Sequence, residues 1–413
     1  MIDELVSAIP RMKQGEELRI ALTDVPEYRD SIRKMSEAER LIALSNLYDI
    51  YLPSEMSLEI YSKLYLALLR SLQKKGTKTA AMQQVENRKA IMQTESRGII
   101  GGSDSFTIIG DSGIGKSSAI NKSISLITEN RIVELRDPMI KIIPCVVVQC
   151  PFDSSVKGLL LEILRKVDEI IDTKYCSNAL RARATTDMLI GSVSQVALNH
   201  IGMLVVDEIQ NVVNSKNGKI LIGSLTQLIN NSGISICMVG TPECKSFFGQ
   251  AMQLARRSMG LNYGAMSYDD DFYNLCKTLW SYNYVQNDTE FTEATCAWLY
   301  EHSGGITSVV VSLIHDAQEL AILTGEESLN LKTLNEAYRK RHELLHDFIQ
   351  EKNEMVHDST TPKTKRPRIP LVLDSVDIGN PNLIQELSAK SKKDKSDVVS
   401  ILKKFITIEE VSV

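Results

Sequence analysis

The sequence predicts an α/β fold with a mostly parallel sheet. Three observations carry this. Apolar runs of strand length alternate with helical segments from 103 to about 268. One run, Lys141-Ile-Ile-Pro-Cys-Val-Val-Val148, is almost continuously apolar, as expected of a parallel strand buried on both faces. Another, Ser105-Phe-Thr-Ile-Ile109, leads through a glycine-rich turn into a helical stretch, Ser118 to Ile127.

That turn is Gly110-Asp111-Ser112-Gly113-Ile114-Gly115-Lys116-Ser117, the P-loop pattern G-x-x-x-x-G-K-[ST]. A phosphate chain carries several negative charges and must be met from several sides. Glycines let the backbone turn sharply and bring its N–H groups against the phosphates. Lys116 adds a cation on a stem long enough to reach the β- and γ-phosphates. Ser117 offers a hydroxyl to Mg²⁺. Ser118 opens the following helix, whose N-terminus adds partial positive charge. Gly110 to Ser118 are therefore the expected contacts of ATP.

Composition narrows the class. A chain of 413 residues predicts two to three domains. Its 43% apolar and 24% charged residues are ordinary for a globular protein. Net charge is -5 and the pI about 5.8, so any DNA contact must come from a local basic patch. No run of eighteen apolar residues and no basic-then-apolar leader is present, so the expectation is a cytoplasmic protein without membrane contact. The seven cysteines form no C-x-x-C pair and read as reduced core thiols.

Taken in order, residues 1–98 read as an N-terminal helical region. Ser36-Glu-Ala-Glu39 resembles a capping box ahead of Leu41, Ile42, Leu44 and Leu47. Pro53 ends that segment. Ser54 begins another, with Leu58, Tyr61, Leu64, Tyr65, Leu68 and Leu69 at helical spacing. Arg70, Lys74, Lys75, Lys78 and Arg88 form a loose basic stretch, read as a solvated face or as a phosphate-backbone contact.

Residues 99–268 form the predicted α/β core. Gly158 to Ile171 reads as an amphipathic helix, Ile201 to Val206 as a third strand and Ile234 to Val239 as a fourth. Ligands of parallel sheets bind outside the carboxyl ends of the strands, so polar residues there carry the chemistry. The third strand ends in Asp207-Glu208, a Walker B pattern about ninety residues after the P-loop. Asp207, with Ser117, would hold Mg²⁺, and Glu208 would act as general base on the attacking water. The fourth ends in Gly240-Thr241-Pro242, where Thr241 is placed to orient water or the γ-phosphate. Arg256 and Arg257 end a helical stretch and could reach a neighbouring subunit's γ-phosphate. Arg181 and Arg183 compete for that role, and a surface pair is the plain alternative.

Residues 269–352 read as a small helical lid. Asp269-Asp270-Asp271 caps Phe272 to Trp280, and Thr292 to His302 is a second helix. Ser303-Gly304-Gly305 breaks it, and helices from Ile306 to Leu323 and from Leu331 to Phe348 follow. The last contains His342-Glu343-Leu344-Leu345-His346. This matches H-E-x-x-H but follows Arg339-Lys340-Arg341, a cationic surface unsuited to zinc, and reads as a solvated helix face. Residues 353–413 read as a basic linker, Ser359 to Arg368, ending in a partner-binding tail.

P-loop, Walker B, strand-end threonine and helical lid together resemble an AAA+ ATPase. The runs Gly110 to Ser117, Val205-Val-Asp-Glu-Ile-Gln210, Met238-Val-Gly-Thr-Pro-Glu243, Leu254-Ala-Arg-Arg257 and Ser303-Gly-Gly-Ile306 resemble the TnsC/TniB group. That group comprises the ATPase regulators of transposons that choose their insertion site. The resemblance implies a five-stranded parallel sheet, an ATP–Mg²⁺ site and subunits that assemble as a ring or filament on duplex DNA. It implies a TniQ- or TnsD-type target selector and a TnsB-type transposase as partners, with TnsA in systems that carry it. It implies disassembly on hydrolysis, Thr241 as sensor one, and Arg256 or Arg257 completing a neighbour's site. The alternative is a helicase loader or DNA-remodelling ATPase outside transposition. One departure stands out. Lids of this class often carry an arginine early in the helix after the Gly-Gly break. Ile306-Thr-Ser-Val-Val-Val-Ser312 has none, which fits a slow switch better than a fast motor.

Overall fold

A computed structural model describes residues 2–342, apart from 76, 93–96, 102–104, 137–138, 154, 213–217 and 246–259. Arg256, Arg257, most of the His342–His346 pattern and the 353–413 tail lie outside the described residues.

The sheet has six strands in the order β2-β3-β4-β5-β1-β6. They are β1 Phe106–Gly110, β2 Val133–Arg136, β3 Met139–Gln149, β4 Ile201–Asp207, β5 Ser235–Gly240 and β6 Leu261–Tyr263. β3, β4, β5, β1 and β6 are parallel. These five match the expected number. The sixth, β2, adds an antiparallel edge on β3, pairing Val133 with Ile142 and Arg136 with Met139. Its four residues, Val-Glu-Leu-Arg, offer too short an apolar run to announce a strand. β6 has only three residues and no apolar run at all.

The helices are α1 Ile2–Ser7, α2 Gly15–Leu22, α3 Glu37–Ala43, α4 Glu55–Lys75, α5 Lys78–Ile91, α6 Lys116–Thr128 and α7 Val156–Ile171. They continue with α8 Tyr175–Arg181, α9 Thr186–His200, α10 Gly218–Ser232, α11 Asp270–Ser281, α12 Glu293–Ser303, α13 Thr307–Thr324 and α14 Leu331–Ala337. The sheet alternation sorts them into layers. Ile143, Val146 and Val148 of β3, Leu204 and Val206 of β4 and Met238 of β5 share a core with α7, α9 and α10. Ile142, Met203, Val205, Cys237 and Val239 face the other way, onto α1, α2, α4 and α6. α4 is the largest piece of that second layer, burying Ile60, Tyr61, Leu64, Leu68 and Leu72. The seven cysteines are free, and burial raises the Cys145 and Cys150 thiols to about 12.

Lys75 departs from both readings of the basic stretch. Its Nζ donates to the carbonyls of Ala197 and Leu198, each at 2.7 Å, closing the C-terminal end of α9. Burial pushes its pKa down to about 7. Arg70, Lys78 and Arg88 are exposed. No single described helix is long and apolar enough to cross a membrane.

The lid, α11–α14, has its own core, and the N-terminal region supplies part of it. Leu44 and Leu47 are fully buried there against Phe272, Leu279 and Ile314. They belong to a strap, residues 24–51, that leaves α2 and returns to α4. Its neck is an antiparallel bridge, Asp24 N–H to Tyr51 O at 3.0 Å and Tyr51 N–H to Asp24 O at 2.7 Å. The capping box on α3 is formed, with Glu39 Oε2 accepting from Ser36 N–H at 3.0 Å. The helix ends at Ala43 and tightens into a 3₁₀ turn, Leu44–Asp49, which aims both leucines at the lid.

Arg40 on α3 fixes the strap. It makes a two-pronged ion pair with Glu327, at 2.6 and 2.7 Å, and donates to Tyr284 O at 3.1 Å. The Arg40 side chain is 3% exposed. Arg40's hydrogen bonds hold the Glu327 carboxyl below the usual range. Removing one partner leaves the other charge buried and alone. Arg40→Ala should therefore destabilise the lid by about 3 kcal/mol and lower the melting temperature. Glu327's contribution is complete above the ordinary glutamate range and lost as pH falls through the depressed folded value. The melting-temperature gap between wild type and Arg40→Ala should thus narrow on acidification, as thermal scans across pH would test.

Candidate active site

The carboxyl ends of β4, β5 and β1 lie side by side, at Asp207, Gly240 and Gly110. A cavity of about 280 Å³ opens there. Ser112, Gly113 and Gly115–Ser118 line one wall, Asp207, Glu208, Gln210 and Thr241 another, and Ser308 of the lid a third.

The P-loop leaves β1 at Gly110, where a Cβ would stand 2.8 Å from Tyr263 O of β6. Ile114 is buried beneath the loop, and so anchors it rather than facing the cavity. Gly115, at φ 91°, precedes α6 with no side-chain cap, which leaves the first N–H groups of the helix toward the cavity. Lys116 Nζ donates to Gly110 O at 2.8 Å and Asp111 O at 2.7 Å, folding the cation back over the loop.

Asp207 is held twice. Its Oδ2 accepts from Ser117 Oγ at 2.9 Å and its Oδ1 from Glu208 N–H at 2.8 Å. A hydroxyl and a carboxylate so joined are hard oxygen donors that suit Mg²⁺, so the residues fit the ion that accompanies ATP. Glu208 is exposed and sits at φ 58°, a left-handed conformation that costs a glutamate about 1 kcal/mol. Burial of Ile209 under β5 turns the chain at this point. Thr241 Oγ1 is buried without a hydrogen bond of normal geometry, its polar neighbour being the weakly polar Cys244 thiol.

Ser308 was not legible as a site residue, although it lies in the arginine-free stretch of the lid. Its N–H donates to Gly113 O at 3.0 Å. Gly113 has φ 82°, and a Cβ there would overlap Ser308 Oγ and stand 3.0 Å from Ile306 Cγ2. The lid therefore seats directly on the P-loop through a serine. Gln210, two residues past the Walker B pair, ends the Val205–Gln210 run but has no role assigned from the sequence. Its Nε2 donates to Glu208 Oε2.

Other candidates lie elsewhere. Arg181 ends α8 and Arg183 follows at φ 50°, both exposed. Of the lysines on loops or element ends that could contact DNA, Lys141 lies on β3, 3.5 Å from Glu134. Lys157 is in the first turn of α7 and Lys174 caps α8, both exposed.

Residues 73–261, which span the P-loop and Walker B strands, match the family model described as Bacterial TniB protein. Over this segment the chain is similar to the TniB family. No curated protein matches it. Solved structures that resemble it include Aeropyrum pernix ORC1 in complex with DNA, at 12% identity and TM-score 0.43, covering 81% of this chain and 78% of that one. Drosophila ORC bound to DNA is also 12% identical, with TM-score 0.43 and coverage of 97% and 85%. C. elegans PCH-2 is 14% identical, with TM-score 0.38 and coverage of 77% and 73%.

In this site, Gly113→Ala would strain the left-handed turn and push Ser308 off the loop. Affinity for a fluorescent ATP analogue should fall roughly tenfold, about 1.4 kcal/mol, while the circular-dichroism spectrum stays unchanged. Undiminished affinity would mean that the lid seat does not contribute to nucleotide binding.

Proposed function

We propose that this chain is an ATP-dependent regulator of DNA transposition that assembles on duplex target DNA. The observation that carries the reading is the TniB-family match over a segment containing the P-loop and the Walker B pair. ATP bound to one subunit, through Gly110–Ser118 and with Mg²⁺ on Ser117 and Asp207, is completed by an arginine of the next, Arg256 or Arg257. A ring or filament results. The chain's net charge of -5 gives a single copy little pull on DNA, and repetition of local basic patches around an assembly supplies it. The assembly links a TniQ- or TnsD-type selector to a TnsB-type transposase, with TnsA where present. The tail after 353 is the proposed partner-binding segment.

Hydrolysis, with Glu208 as base and Thr241 as sensor, returns the subunits to the unassembled state. The arginine-free lid seat at Ser308 supports a slow, switch-like rate.

Electron microscopy of the protein with duplex DNA tests this. A non-hydrolysable ATP analogue should give rings or filaments and ADP should not. Lys116→Ala should lose nucleotide binding and assembly together. Glu208→Gln should bind ATP and remain assembled. Monomers in every case, with nucleotide bound, would point instead to a helicase loader or another remodelling ATPase.

A further inference from the structure

Two buried polar atoms at the back of the nucleotide cavity lack a normal hydrogen bond: Thr241 Oγ1 and Gln210 Oε1. Both lie beside Gly240, the last residue of β5. Thr241 follows it in the chain, and a Cβ on Gly240 would stand 3.1 Å from Gln210 Oε1. A buried polar atom without a partner is costly, so two at one place call for a cause. The other end of the same amide is engaged, since Gln210 Nε2 donates to Glu208 Oε2. The amide thus spans from the end of β5 at Gly240 to the carboxylate.

The backbone holds it there. The positive φ of Glu208 turns the chain back, and Asn211 N–H closes the turn on Glu208 O at 3.1 Å. Asn211 Nδ2 ties that turn to Cys150 O of the neighbouring loop at 2.9 Å.

We propose that Gln210 is a positioning residue for ATP hydrolysis, aiming the Glu208 carboxylate and coupling it to the Thr241 hydroxyl. The inference rests on the ATPase reading of this site. A carboxamide suits the task because it has a donor end and an acceptor end on one plane. Nε2 restrains one oxygen of Glu208 and leaves the other to take a proton. The Thr241 O–H reaches Gln210 Oε1 only after a change of side-chain rotamer, since neither atom makes a normal hydrogen bond here. In the reaction, the water oxygen bonds to the γ-phosphorus and its proton passes to Glu208. The bond from the γ-phosphorus to the bridging oxygen breaks, and ADP leaves with that electron pair. Gln210 exchanges no proton; it sets the direction from which Glu208 receives one.

The test compares the full-length wild type with Gln210→Ala, Gln210→Glu, Thr241→Ala, the Gln210→Ala/Thr241→Ala double variant and Glu208→Gln. Affinity for a fluorescent ATP analogue and steady-state hydrolysis are measured for each. Gln210→Ala should keep its ATP affinity within about twofold and lose roughly tenfold or more in kcat. Gln210→Glu removes the donor to Glu208 and should show the same split, with kcat falling while ATP affinity holds. A residue that only supports the fold would lower both together. The double variant should be no slower than the worse single variant, as expected of two groups acting through one path.

Wild-type kcat in Gln210→Ala, with Glu208→Gln inactive, would overturn the role of Gln210 and leave the ATPase site standing. So would wild-type kcat in Gln210→Glu. Wild-type kcat in Glu208→Gln would instead overturn the reading of the site itself.

Discussion

The central sheet is covered on both faces, and that constraint governs the rest. β1, β4 and β5 are apolar along their length, so no charged side chain can leave them sideways without being buried. Polar chemistry is pushed to their carboxyl edge. Asp207, Glu208 and Thr241 sit there because the strands end there, and the P-loop joins them because β1 ends beside β5. The layers of helices matter to function chiefly by keeping the sheet dry.

What was legible in the sequence was whatever is contiguous. The P-loop, the Walker B pair and the four longer strands each write their signal in one short run. So do the caps: Asp269 and Thr292 precede α11 and α12 and accept from Phe272 and Thr295, as their positions imply. The missed features have no such run. β2 and β6 are too short to show a period. Lys75 belongs to a string of basic residues, yet its partners are carbonyls more than a hundred positions away. Ser308 could have been suspected only from what its stretch lacks. Gln210 looks like any polar residue after a strand until the backbone at Glu208 turns it inward.

The lid interface shows which contacts dominate. The exposed ion pairs, such as Arg11 with Glu17, are solvated and worth about 1 kcal/mol or less. The Arg40–Glu327 pair is buried and two-pronged, and it sits among the apolar contacts of Leu44 and Leu47. Its main effect is therefore on geometry: a lid displaced from the strap would have to strand a charge in a nonpolar setting.

The strap has a mechanical consequence. Both its ends run into helices, α2 and α4, that are packed on the core, and its middle is packed on the lid. The lid also touches the P-loop through Ser308. Core, strap, lid and P-loop thus form a closed linkage, and a closed linkage has few ways to move. The lid cannot wander through a cone of orientations as a domain on a single tether would. Motion of the lid against the core must bend the neck at Asp24 and Tyr51 or break the Ser308 contact, so the strap sets its direction.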